Sequence, residues 1–86
     1  MNIMSRFAKV EDSIKYVLED HMTPRSVREK LNRILVTLAR KDQDDQSKIS
    51  TVLADLEDLS SDVNIPPFVR TQLYSVSGQL EALGND

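Results

Sequence analysis

Displaced by 42 residues, the chain lies on itself. Phe7, Val10, Ile14 and Val17 fall on Ile49, Val52, Leu56 and Leu59, and Pro24 falls on Pro66. Val27-Arg28 then falls on Val69-Arg70, Leu31 on Leu73, Ile34 on Val76 and Leu38 on Leu80. Apolar matches alone come cheaply, because any two amphipathic helices align. The shared start Pro-x-x-Val-Arg-x-x-Leu is harder to obtain by chance. The apolar spacing of three and four within each unit is that of a helix, and no stretch alternates with period two. Each unit therefore reads as a helical hairpin.

Local chemistry places the breaks. Thr23-Pro24 reads as an N-cap followed by proline at the first helical position. Residues 42–46 are the polar connector between the units, with Asp44 or Asp45 as the cap of the third helix. Asn64-Ile65-Pro66-Pro67 stops the third helix and starts the fourth, because the residue before a proline disfavours helical backbone. Gly84 suits the position just past the last helix. Helices are predicted near 3–21, 24–41, 46–62 and 67–83. Met4 and His21 extend the apolar stripe of the first, and Val63 that of the third. The predicted fold is an all-α, single-domain four-helix bundle of two similar antiparallel hairpins spanning 1–86. The alternative is a two-unit HEAT-like stack, which uses the same hairpins but normally needs more repeats.

Composition narrows the chemistry. The chain has no cysteine, which excludes disulfides, iron–sulfur clusters and thiol catalysis. Glycine occurs only at Gly78 and Gly84, so no phosphate-cradling loop can form. No apolar run reaches the roughly 20 residues of a membrane span, and no signal-peptide core is evident, which predicts a cytoplasmic protein without a membrane partner. His21 is the single histidine; its neighbours Glu19 and Asp20 point in other directions on a helix, so no metal site is expected and His21 reads as a half-buried helix-end residue. Asp55, Asp58 and Asp62 lie off the apolar stripe and read as a solvated face. Asp42-Gln43-Asp44-Asp45 lacks the glycine and the terminal glutamate of a calcium loop. The serines have no base–orienter pair beside them. The expectation is a non-enzymatic protein with no cofactor.

Charge is sorted along the chain. Residues 23–41 carry Arg25, Arg28, Lys30, Arg33, Arg40 and Lys41 against Glu29, a net of +5. Residues 42–62 carry a net of −6, in a chain of net −3 overall. Opposite signs on consecutive helices favour their pairing in one bundle. They would equally serve an interface with a protein partner or a second copy. The alternative function is nucleic-acid association through the basic second helix, against which stand the acidic total and the lack of stacking aromatics.

Arg28 and Arg70 are equivalent positions. Each is expected to reach back to a carboxylate or carbonyl of the preceding helix and brace the turn. Asp20 and Asp62 also match under the shift and are the expected partners, Asp20 with Arg28 and Asp62 with Arg70. Pro24, Pro66 and Pro67 complete this turn set. Residues left outside the inward stripes include Ile3, Met22, Val36, Phe68 and Tyr74. Arg25, Arg33, Val36, Arg40, Phe68 and Tyr74 form the expected partner surface, with a homodimer as one outcome. Gly78 in the fourth helix is expected to permit close helix approach.

The element Pro66-Pro67-Phe68-Val69-Arg70-Thr71, together with Pro24-Arg25-Ser26-Val27-Arg28, resembles the small archaeal family catalogued as uncharacterised protein family 0147, over roughly residues 10–83. The resemblance implies a compact four-helix fold in archaeal cytoplasm. It brings no assigned activity and no catalytic residues to carry over.

Overall fold

A computed structural model describes residues 5–85. Four helices follow one another: α1 (Ala8–Glu19), α2 (Arg25–Ala39), α3 (Asp45–Ser60) and α4 (Pro67–Gly84). Helix α1 packs on α2 and α4, and α3 packs on α2 and α4. The α1–α4 contact closes the ring, so the two hairpins form a bundle and not an open HEAT-like stack.

The core is the repeat read off the sequence. The eight apolar pairs, from Phe7 with Ile49 to Leu38 with Leu80, are all buried. Among the described residues, only Ile65 joins them as a buried hydrophobic from outside these pairs, and its equivalent, Thr23, is also buried. Thr23 satisfies its hydroxyl by donating to the Val17 carbonyl at 2.7 Å. The two units are thus related by an approximate twofold along the bundle axis, which exchanges α1 with α3 and α2 with α4.

Polar contacts hold the helix ends in the same cyclic order. Lys48 enters α3 with its side chain buried and donates to the Leu38 carbonyl at the end of α2, 3.1 Å away. Its ammonium also lies 5.7 Å from the centroid of the Phe7 ring, within cation–π range. Arg6, its equivalent before α1, donates to the Leu83 carbonyl at the end of α4 at 2.6 Å. Both cations sit where a helix C-terminus leaves carbonyls without partners. The ion pair of Lys30 with Asp58 joins α2 to α3. Ser13 and Gln79 bond each other across α1 and α4, with the Gln79 amide donating at 3.0 Å. The basic second helix and the acidic third are neighbours.

Several local expectations are corrected. Ile3 and Met4 lie outside the described residues. Helix α1 starts at Ala8, after a turn in which the Ser5 carbonyl accepts the Ala8 N–H. It ends at Glu19, because the Asp20 carboxylate accepts the Met22 N–H and closes a turn. His21 is therefore past the helix and exposed, not on the stripe. Val63 likewise lies in the α3–α4 turn and is 86% exposed. Pro24, not Thr23, is the N-cap of α2, and Thr23 faces back to α1. Asp44 caps α3, accepting the Ser47 N–H at 2.7 Å. Helix α4 runs through Gly84 to an Asn85 cap with φ of −94°, so no left-handed residue ends it. At Gly78 nothing lies within 4 Å of where a Cβ would stand, so this glycine mediates no close approach.

Candidate functional site: an open seam between α3 and α4

The two hairpin turns are built alike. Arg28 donates to the Leu18, Asp20 and Thr23 carbonyls at 2.6, 2.6 and 3.1 Å. Arg70 donates to the Ser60 and Asp62 carbonyls at 3.2 and 2.7 Å. The arginines brace the turns, but through main-chain oxygens. The Asp20–Arg28 and Asp62–Arg70 carboxylate pairs expected from the sequence do not form. Each carboxylate instead accepts an N–H two residues on, Met22 for Asp20 and Asn64 for Asp62. The turn geometry requires this: a bend two residues long puts that N–H within reach, and leaves carbonyls from the end of the helix facing the arginine. Pro24 and Pro66 set the extended backbone that opens the next helix, and Pro67 takes its first position.

The six expected partner-surface residues do not converge. Arg25 pairs with Glu29 and Arg40 with Asp42. Arg33 lies beside Lys30 and Asp55 on the α2–α3 side. Val36 is exposed on α2 and Phe68 at the start of α4. Tyr74 alone borders a substantial concavity. The Asp42 carboxyl is held down to about 2, first by its hydrogen bonds from Arg40. Hydrogen bonds from Ser47, chiefly its backbone N–H, hold Asp44 below the usual carboxylate range.

That concavity is an open groove of about 540 Å³ between α3 and α4, lined by Leu53, Glu57, Ser60, Ser61, Tyr74, Ser77 and Glu81. The two units differ in sequence there. The residues of α1 and α2 that match Ser60 and Ser77 are Leu18 and Leu35, which are half-buried and packed against the core. The groove thus has serines where the other hairpin has these leucines, while its own Leu53 packs against the core where α1 has Glu11. Ser60 is only 9% exposed, and its hydroxyl has no hydrogen-bond partner among the described residues. Tyr74, 60% exposed, stands where α2 has Asn32. Glu57 and Glu81 replace Lys15 and Ala39. Ser60, Ser77, Glu57 and Glu81 were not singled out from sequence. The 42-residue shift holds the signal, but in its mismatches.

Among the described residues no three His, Cys, Asp or Glu side chains gather to hold a metal ion. His21 lies with Tyr16, Glu19 and Asp20 on the other hairpin and does not line the groove. No helix among the described residues is long and apolar enough to cross a membrane.

The model of a family described as "Uncharacterised protein family (UPF0147)" matches residues 1–83. The chain belongs to this family. It is 30% identical over 77 residues to a UPF0147 protein of Methanothermobacter thermautotrophicus, covering 90% of this chain and 76% of that one. It is 31% identical over 75 residues to one of Archaeoglobus fulgidus, covering 87% and 85%. The crystal structure of a UPF0147 protein from Thermoplasma acidophilum superposes with a TM-score of 0.85 at 28% identity, covering 90% of this chain and 91% of that one. A second crystal structure, of the unknown-function protein MMP1188, shares the fold with a TM-score of 0.81 at 24% identity, covering 94% and 96%. Membership of UPF0147 thus agrees with the four-helix architecture and with archaeal relatives.

Proposed function

We propose that the protein is a non-enzymatic helical interaction module that docks a protein partner in the α3–α4 groove. One observation carries this: the groove between α3 and α4 is lined by Ser60 and Ser77, where the other hairpin carries the half-buried Leu18 and Leu35. Leucines at these two positions would bury more apolar area at about 25 cal/mol per Å², so the serines leave that burial unused at the groove. A surface that gives up packing in this way suits a face completed by another molecule. The groove is also open to solvent and carries hydroxyls and carboxylates without a base beside a nucleophile, which suits docking better than chemistry.

The test compares the wild-type chain with the Ser60→Leu/Ser77→Leu variant as tagged baits in nuclease-treated extract of the source cells. The expected result is a stoichiometric protein partner held by the wild type and lost by the filled variant. Equal capture by both baits overturns the groove assignment. A partner signal that depends on intact nucleic acid turns the reading toward α2 and its basic residues.

A further inference from the structure

We infer that the group this groove receives is a lysine or arginine side chain on a segment of the protein partner; this rests on the docking reading above. The lining has three parts, and each fits one part of such a side chain. Leu53 and the Tyr74 ring offer an apolar floor for an aliphatic stem. The buried Ser60 oxygen lacks a hydrogen-bond partner among the described residues, and an ammonium or guanidinium N–H supplies one. Glu57 on α3 and Glu81 on α4 flank the opening, exposed, and neither makes a salt bridge within the described residues. Tyr74 adds an aromatic face for a cation.

Other occupants fit worse. A phosphate or carboxylate would meet two glutamates and no basic lining residue. A purely apolar side chain would leave the Ser60 hydroxyl buried and unpaired. A second copy docked face to face through the same groove would set Glu57 and Glu81 against their own counterparts, a like-charge contact that opposes self-docking. Residues 42–62, with their net of −6, also make the surrounding field attractive to a basic segment.

The experiment places a photo-cross-linking p-benzoylphenylalanine at Tyr74, and in a control at its twofold mate Asn32, in the full chain expressed in the source cells. Cross-linked peptides are then sequenced by mass spectrometry. The expected attachment is a segment of another protein with lysine or arginine within a few residues of the cross-link. Its yield should fall about tenfold when Glu57→Gln and Glu81→Gln are added, and vanish with Ser60→Leu/Ser77→Leu. The Asn32 position should give none. Circular dichroism melts keep misfolded variants out of the comparison. Attachment from Tyr74 to segments poor in lysine and arginine, or a yield indifferent to the two glutamates, overturns the cationic assignment and leaves the docking reading standing. Attachment to a second copy of this chain overturns the partner's identity. No cross-link from Tyr74 overturns both.

Discussion

Arg28 donates to the main-chain oxygen of Asp20 at 2.6 Å, while the Asp20 carboxylate accepts the Met22 N–H at 2.8 Å. The two side chains share a turn without forming an ion pair. Each satisfies a different main-chain group left over where α1 ends. A guanidinium meets three separated carbonyls from three different nitrogens of a rigid planar fork, whereas an ammonium's three donors radiate from a single nitrogen.

The consequence is an asymmetry between the two residues. Arg28→Ala should lower stability by about 2–3 kcal/mol, since its charge-assisted bonds are lost and three carbonyls lose a donor. Arg70→Ala, with two such bonds, should cost about 1–2 kcal/mol. Arg28→Lys should recover only part of the loss. Asp20→Asn keeps an oxygen for the Met22 N–H and should stay within about 0.5 kcal/mol of the wild type. Urea unfolding of the four variants measures this. An Asp20→Asn loss as large as that of Arg28→Ala would restore the ion-pair account.

Gly78 stands mid-way along α4 with open space around its missing Cβ. Its only effect on the native state is then the backbone freedom it gives up in the helix. Gly78→Ala should stabilise the fold by about 0.5–1 kcal/mol. A thermal melt decides the matter, and a lowered midpoint would reveal a contact made by this face.

The readable parts of the molecule are those the core repeats. Eight apolar pairs recur at one displacement, and burying them dictates which faces turn inward and which helices are neighbours. The unread parts are set by single atoms. Whether Arg28 meets a carboxylate or a carbonyl depends on how the Asp20 side chain closes its turn, and both choices have the same sequence. Gly78 suggested close packing because glycine can permit it, yet the fold leaves that face empty. The groove was legible in principle. Leu18 against Ser60 and Leu35 against Ser77 are visible under the same shift that reveals the repeat, but attention to matches passes over them. An approximate symmetry shows its core in the residues it keeps and its open face in those it changes.

Between the hairpins, the α2–α3 connector should hold its carboxylates ionised to lower pH than ordinary aspartates do. Hydrogen bonds from Arg40 are the main reason that Asp42 titrates at about 2, below its ordinary 3.8. A carboxyl lowered on folding contributes stability that is complete above the unfolded value and is lost as the pH falls through the folded one. The loss assigned to Asp42 should therefore fall between about pH 4 and pH 2. Carboxyl NMR titration should place Asp42 near the bottom of that window. In Arg40→Gln it should return toward the ordinary range, whereas Asp44, held down by Ser47, should stay low. Movement of both together would point to a change in the connector as a whole.

Ser60 gives the clearest separation of folding from binding. Its hydroxyl is buried without a partner among the described residues, so removing it relieves a desolvated polar group and improves helix propensity. Ser60→Ala should raise stability by about 1 kcal/mol, a sign opposite to the usual effect of a core substitution. The same change should weaken any partner that supplies an N–H to that oxygen. Stability is read by urea unfolding, and binding by recovery of the captured partner at equal bait concentration. A stabilised variant with weakened capture is the expected pair of results. A destabilised Ser60→Ala would mean that the hydroxyl is already satisfied within the free protein, and would remove the unpaired oxygen from the case for the groove.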